Sequence, residues 1–440
     1  MAMRTRVAAR TGTAVGALSR RLGAGGGTVI GGRVSLAIDR SALARLASGR
    51  RIALVSGTNG KTTTTRLLTA ALSSAGPVVT NIGGANLPAG LVAALSLDRS
   101  GSPAALEVDE GFVGPAATAV EPVVVTLLNL SRDQLDRISE VRMLGAKWRA
   151  ALAGLPSTHV VANADDPIVA WAAGAGGEAN GPVTWVSAGQ PWRADSSGCP
   201  RCEGRIHYLA APHCSEGATD WSCHCGLSRP RPDLWLEGDV LAKADGQRLR
   251  IDLALPGRCN RANAAMATAA ASVMGIPDQT ALSAMAATAE IAGRYQVART
   301  RLGWVRLLLA KNPAGWVETF DLIAPAPAPV VVAINAKVAD GRDPSWLWDV
   351  PFERLAGRAV VASGERALDL GVRLAYAGVE HQVVPDVLAG VDAVLAGRSA
   401  LPGGAGADES TPVDFVGNYT AFQDLRRQLA RRRGGTDGAG

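Results

Sequence analysis

The apolar run Ile52-Ala53-Leu54-Val55 breaks into Gly57-Thr58-Asn59-Gly60-Lys61-Thr62-Thr63, and a helical pattern resumes at Arg66-Leu67-Leu68-Thr69-Ala70-Ala71-Leu72. No other feature restricts the fold as tightly. A buried strand, a glycine turn and a helix opening on Lys-Thr form one unit. The glycines let backbone N–H groups converge on an anion, and the start of the helix adds partial positive charge. Lys61 carries the charge that β- and γ-phosphates require, and the Thr62 hydroxyl suits Mg²⁺. Gly57, Thr58, Asn59, Gly60, Lys61, Thr62 and Thr63 are therefore predicted to cradle the phosphates of ATP. The spacing is shorter than in the usual phosphate loop, which places about four residues between its first Gly and the Gly-Lys. Gly-Thr-Asn-Gly by itself is also an ordinary turn.

The same alternation continues. Val78-Val79, Ala104 to Val108, Pro122 to Leu128 and Val160-Val161 read as strands separated by helical segments, which implies βαβ units, a mostly parallel sheet and ligands at the strands' carboxyl ends. Glu107, Asp109 and Glu110 close one strand on the side of the phosphate loop, either as Mg²⁺ contacts or as a solvated acidic turn. Asn129 to Arg137 closes the next, facing the same crevice or capping a helix. An Ala-rich helix over Asn260 to Met274 opens with Asn260 and Asn263, whose amides suit an adenine edge or the capping of that helix. A change of domain is predicted near Gly293-Arg294. Val305 to Leu309, Val330 to Ile334 and Ala359 to Ala362 are then strands of a second, smaller α/β unit. Residues 400–410 read as a Gly/Ala loop and 431–440 as a tail.

Five of the six cysteines fall in 188–235, which has no long apolar segment. Cys199-Pro200-Arg201-Cys202 and Cys223-His224-Cys225 match the paired thiols of a zinc ribbon, a closed and structural tetrahedral site. The second pair is C-x-C, so His213, Cys214 and His224 are alternative ligands. Cys259 reads as a buried thiol. In the second unit, Asp340 to Asp349 packs three acids, an arginine and two tryptophans into a chain with only 4% aromatic residues. Such a pair marks an interface or fills a core.

A net charge of +6 on 440 residues suits anionic small substrates or an anionic membrane surface. The aromatic-and-basic pattern of a nucleic-acid binder is missing. No apolar stretch approaches the roughly 20 residues of a membrane span. Met1 to Arg21 is interrupted by Arg and reads as a short surface helix, with a transit peptide as the other reading. The expected compartment is the cytoplasm, with the cysteines reduced or metal-bound.

Gly57 to Thr63, Asn129 to Arg137, Asn163-Ala164-Asp165-Asp166 and the helix bearing Asn260 and Asn263 together resemble the central ATPase domain of the Mur ligases. The cysteine insert, Lys311-Asn312-Pro313-Ala314-Gly315, the string Asp340 to Asp349 and Asn418-Tyr419-Thr420-Ala421 resemble the MurT branch of that family. The resemblance spans nearly the whole chain. It implies a Mur-ligase-like α/β ATP-binding domain over 1–294 with a four-cysteine zinc ribbon at about 195–232. A MurT-type α/β domain with a partner-binding motif would occupy 295–440. The activity it implies is amidation of the α-carboxylate of D-Glu in the lipid II stem peptide, through an acyl phosphate, at the inner face of the plasma membrane. Ammonia would come from a glutaminase partner resembling GatD.

By the same resemblance Lys61 and Asp349 act in catalysis, Asp349 by orienting a His of the partner's Cys–His pair. Asn260 and Asn263 frame adenine, Thr62 and Glu107 meet Mg²⁺, and Cys199, Cys202, Cys223 and Cys225 hold structural Zn²⁺. Gln134 stands where peptide-adding Mur ligases have His, and Lys147 lies near their carbamylated Lys. Residues 1–50 are short for their UDP-binding domain, which fits a lipid-linked substrate. A ligase adding an amino acid, Mur-like or folylpolyglutamate-synthase-like, shares the acyl phosphate; the cysteine insert and tryptophan string favour amidation. A non-catalytic zinc-bearing scaffold conflicts with the intact Lys61-Thr62.

Overall fold

The computed structural model describes residues 3–22, 27–81, 85–98, 100–132, 138–177, 181–210, 219–288, 295–397 and 411–434. Gln134 and the rest of 133–137, His213 and Cys214, Gly293-Arg294, the 400–410 loop and the end of the tail lie outside these residues. The chain divides into two compact units, one up to residue 288 and one from 295.

The first unit is built on parallel strands β1 (Ile52–Ser56), β2 (Val79–Thr80), β3 (Ala104–Glu107), β4 (Val124–Leu127), β5 (His159–Asn163) and β6 (Val183–Ser187). A hairpin of β7 (His207–Ala210) and β8 (Thr219–Ser222) stands apart, and β9 (Leu234–Glu237), β10 (Val240–Lys243) and β11 (Arg248–Arg250) extend the large sheet. The order is β11-β10-β9-β6-β5-β4-β1-β3-β2, with β9 parallel to β6 and only β10 and β11 pairing antiparallel. Ile52 pairs with Ala104 on one side and Ala53 with Val124 on the other, so β1 is central and all five of its residues are buried. That is why its sequence is apolar without alternation.

Among the described residues the helices of this unit are α1 (Met3–Arg21), α2 (Thr28–Ile38), α3 (Ala42–Ala47), α4 (Lys61–Ser73), α5 (Pro88–Leu97), α6 (Val113–Val120), α7 (Ile138–Ala153), α8 (Pro167–Ala172), α9 (Arg258–Val273) and α10 (Asp278–Ala286). Leu54, Leu106, Val125, Leu127 and Trp148 join in one buried cluster. Few aromatics are needed because α9 buries a run of alanines, Ala264 to Ala271 broken only by Met266 and Thr268, and so lies close to α4. The helix expected at Asn260 begins two residues earlier, with Gly257 as its N-cap. Cys259, read as buried, is half-exposed.

The segment expected to be a short surface helix is α1 of a tight hairpin. A Cβ on Gly12 would lie 2.4 Å from Gly31 O and 2.1 Å from Ser35 Oγ, so α1 and α2 meet backbone to backbone. Asp39 anchors the hairpin to α3: it accepts from Thr5 Oγ1 at 2.6 Å, Ser41 Oγ at 2.6 Å and Ser41 N at 3.0 Å. The Ser41 hydroxyl, then that of Thr5, holds its carboxyl down at about 2. A lowered native pKa stabilises the fold above the ordinary carboxylate value and stops doing so as pH falls through about 2. Asp39→Asn should therefore melt lower than wild type at neutral pH, with the gap closing in acid. A gap that thermal melts find constant from neutral pH to about pH 2 rejects this role.

The second unit has strands β12 (Tyr295–Arg299), β13 (Trp304–Leu309), β14 (Val330–Ala333), β15 (Val360–Ser363), β16 (His381–Val383) and β17 (Val413–Gly417) in the order β12-β13-β17-β14-β15-β16. Only β12 is antiparallel to its neighbour. Helices α11 (Pro313–Phe320), α12 (Ala367–Tyr376), α13 (Val387–Gly397) and α14 (Tyr419–Gly434) complete it. Trp316, Phe320, Trp346 and Phe352 form one apolar layer, and Phe415, Phe422 and Val391 belong to another. The tryptophan pair divides: Trp346 stacks on Trp316 at 6.2 Å in the core, while Trp348 is 55% exposed. Among the described residues no helix is long and apolar enough to cross a membrane.

Candidate active site

The phosphate loop leaves the carboxyl end of β1 and is latched from the carboxyl end of β4. Thr58 N donates to Asn129 O at 2.9 Å, and Asn59 N donates to Asn129 Oδ1 at 2.9 Å. Asn129 Nδ2 returns a bond to Asn59 O at 3.1 Å, and Ser131 N donates to Thr58 Oγ1 at 3.0 Å. Asn129 thus fixes the loop's backbone, and Ser131 fixes the Thr58 hydroxyl. Gly60 caps α4 in the left-handed region at φ 84°, and a Cβ there would lie 2.5 Å from Asn263 Oδ1. Both the dihedral and the close approach require glycine. The N-terminus of α4 opens on this loop, an arrangement that can hold an anion.

The charged groups converge at the same place. Lys61 is buried, and its Nζ donates to Gly57 O at 2.5 Å, Thr58 O at 3.2 Å and Glu110 Oε2 at 2.9 Å. Burial pushes the Glu110 carboxyl up, and Lys61 opposes that shift. Thr62 Oγ1 donates to Glu107 Oε2 at 2.8 Å. Glu107, buried at the end of β3, is positioned by two amides that sequence reasoning did not single out. Asn81 brackets its backbone with two 2.8 Å bonds, and Asn86 Nδ2 reaches its Oε1 at 3.2 Å. The available signal was their place just after the short strand β2. A hydroxyl and a carboxylate in contact beside a phosphate loop are the oxygen donors a hard divalent cation takes, and the pair fits Mg²⁺.

The two asparagines expected at adenine, one turn apart on α9, engage different partners. Asn263 lies against the loop, accepting from Thr64 Oγ1 at 3.2 Å, whereas Asn260 Nδ2 donates to Pro256 O at 2.6 Å in the first turn of α9. Lys147 is exposed on α7.

Asn163 to Asp166, carried by the end of β5, organise the floor of this region. Asp165 takes Arg229 Nε at 2.7 Å and Gly189 N at 2.6 Å. The fully buried Asp166 caps α8 through Ile168 N and Val169 N and receives Leu130 N at 2.9 Å. Burial raises the Asp166 carboxyl to about 6 against those bonds.

Cys199, Cys202, Cys223 and Cys225 lie with their Sγ atoms within 4.8 Å of one another. The Cys199–Cys225 and Cys202–Cys223 separations are 3.7 and 3.5 Å. Four thiolates about 2.3 Å from a tetrahedral zinc stand roughly 3.8 Å apart, so the set fits that ion closely. The C-x-C half therefore closes the site without a fifth ligand, and His224 Nε2 flanks it at 4.0 Å from Cys202 Sγ. The cluster is bolted to the main sheet: Trp221 is fully buried and its Nε1 donates to Ala164 O at 3.0 Å.

In the second unit the carboxyl ends of β13, β17 and β14 gather the remaining motif residues. Lys311 lies 5.3 Å over the Tyr419 ring, and Asn312 caps α11 by accepting from Gly315 N at 2.8 Å. Asn335 N donates to Asn418 Oδ1 at 3.0 Å, and Asp340 receives Thr420 N at 2.9 Å. Asp340 and Asn418 thus hold the string and the end of β17 together. Asp349 ends the turn Ser345–Asp349 half-buried, beside Trp348, which meets Tyr376 edge-on at 5.4 Å.

Residues 55–195 match the Mur ligase middle domain, and residues 309–422 match the MurT ligase C-terminal domain. The MurT subunit of the glutamine-hydrolysing lipid II isoglutaminyl synthase of Streptococcus pneumoniae is 28% identical over 433 residues, covering 93% of this chain and 94% of that one. The MurT subunit from Staphylococcus aureus (strain N315) is 28% identical over 81% of this chain and 85% of its own. A pseudomurein peptide ligase type C from Methanothermus fervidus shares the fold with TM-score 0.63 at 18% identity, covering 89% of this chain and 81% of that one. The two matched domains, in the order MurT subunits carry them along nearly their whole length, make this chain a member of the MurT family of ATP-dependent Mur ligases.

Proposed function

We propose that this chain amidates the α-carboxylate of D-Glu in the stem peptide of lipid II, with ATP and Mg²⁺, using ammonia from a glutaminase subunit. The observation that carries the reading is the cluster of Lys61, Thr62 and Glu107 at the N-terminus of α4, with the phosphate loop already latched by Asn129. Bound there, ATP offers its terminal phosphoryl with Lys61 and the α4 N-terminus offsetting charge in transfer. Thr62 and Glu107 would hold Mg²⁺, which supplies further charge neutralisation. The carboxylate takes the phosphoryl group; ammonia adds to the acyl carbon, and phosphate departs as that nitrogen loses a proton. Asn263 belongs with the phosphate side of the nucleotide. The cysteine cluster serves as structural zinc, away from the transfer step.

The partner reading rests on the MurT relatives, named as subunits of a glutamine-hydrolysing synthase, and on Asp349 beside the exposed Trp348. Asp349→Asn should slow glutamine-driven amidation at least about tenfold more than ammonium-driven amidation, as loss of one positioning contact does. Equal losses with both nitrogen sources would remove Asp349 from the partner's chemistry. The whole reaction is tested by supplying the purified pair with lipid II, glutamine, Mg²⁺ and ATP. ADP and amidated lipid II are expected in equal amounts, and ADP without amide sinks the proposal.

A further inference from the structure

The α1–α2 hairpin carries a pattern that the nucleotide site does not use. Residues 3–38 contain six arginines and no acidic residue. One face of α1, with Thr5, Ala8, Ala9, Gly12, Gly16 and Ser19, is buried. The opposite face repeats Met3, Val7, Thr11, Ala14, Leu18 and Leu22 at helical spacing. Met3, Val7, Leu18 and Leu22 are 83, 49, 55 and 73% exposed. Arg10 and Arg21 border this row, and Val29, Ile30 and Arg33 of α2 are exposed as well. Beside Arg10 lies a cavity of about 660 Å³ that Arg6 also lines, together with Arg45, which pairs with Asp39 at 3.2 Å, and Arg50, which pairs with Asp98 at 2.5 Å.

Scattered exposed apolar residues need no explanation. A continuous row bordered by arginines, on a segment without one carboxylate, is the pattern of a helix lying in a bilayer interface. We propose that the α1–α2 hairpin docks on the anionic surface of a lipid bilayer. Met3, Val7, Leu18 and Leu22 enter the headgroup boundary, and the exposed Arg6, Arg10 and Arg21 hold lipid phosphates. The complementarity of charge selects an anionic leaflet, and the apolar row selects a bilayer over a purely polar anionic surface. The inference deepens the reading of a lipid-linked substrate and takes its purpose from it, but the docking is chemistry of this surface alone.

Flotation of the full chain tests it, using phosphatidylcholine vesicles and vesicles of phosphatidylcholine and phosphatidylglycerol at three to one, without lipid II or ATP. Wild type should float with the anionic vesicles, remain unbound with the neutral ones, and be released by salt. Arg10→Gln/Arg21→Gln should weaken partitioning about 30-fold, the factor expected for two surface arginines. Leu18→Ser should weaken it at unchanged charge, and circular dichroism checks that both variants are folded. Wild type that ignores anionic vesicles, as it would if the hairpin seats an acidic protein, overturns the proposal, as does equal binding to both vesicle types. Binding without any amidation activity would count against the reaction assigned above and leave the docking standing.

Discussion

Lys61→Ala should lower ATP-dependent turnover by about a thousandfold or more, since it removes the positive charge that Lys61 holds at the phosphate loop. It should also destabilise the fold. Lys61 is the partner of Glu110 at 2.9 Å, and both side chains are largely shielded from water. Removing one member of such a pair costs about 3 kcal/mol, because the other is left charged and unpaired. Adding Glu110→Gln removes that stranded charge, so the double variant should recover much of the melting temperature and none of the activity. The comparison separates charge delivered to the phosphates from charge that holds the loop. A double variant that regains turnover would show that Lys61 is not the phosphate ligand, and a single variant as stable as wild type would show that the ion pair is not formed in solution.

The second large effect is expected at the cysteine cluster. The purified chain should carry about one equivalent of zinc, and Cys223→Ser should carry almost none. Without the ion, four thiols within 4.8 Å of one another have no bond holding them, and the hairpin β7–β8 is too small to keep its shape by burial alone. Trp221 should then leave its place against Ala164, which tryptophan fluorescence reads, and the insert should become the first site of limited proteolysis. The loss of activity should follow indirectly, since Arg229, only a few residues beyond the cluster, supports Asp165 at the end of β5. A Cys223→Ser protein with wild-type fluorescence and cleavage pattern would remove the structural role assigned to the metal.

Much of this site is legible in the sequence because it is local. The strand, the glycine turn and the helix opening at Lys61 are set by backbone geometry over about a dozen residues, and the cysteine pairs are set by ligand spacing. Asn129 was visible only as a polar residue after a strand; its part as the latch depends on β4 lying next to β1, 70 residues away in sequence. Glu110 was read with its neighbours as a possible metal contact or solvated acid, and the structure gives it the side chain of Lys61. Asn260 and Asn263 share one face of α9 by spacing, yet Asn260 in the first turn bonds back to Pro256 O while Asn263, one turn on, meets Thr64 and Gly60, because place along the helix decides which neighbours a side chain finds. Trp346 and Trp348 part for a similar reason: two positions along a tight turn point to different surroundings, one core and one solvent.

The sequence by itself determined the α/β class, the strand, glycine turn and helix around 57–63, and two pairs of close cysteines, all written in short-range spacing; that Cys199, Cys202, Cys223 and Cys225 meet was decided by the fold. Only the tertiary structure decided that β17, the last strand in the chain, lies between β13 and β14 and so brings Asn418 to Asn335. It alone decided that the arginine-rich start folds back as a hairpin with one face buried and one left to solvent. Strand order and helix pairing are settled by which arrangement buries the apolar faces while pairing every backbone group, and that is a property of the whole assembly of elements.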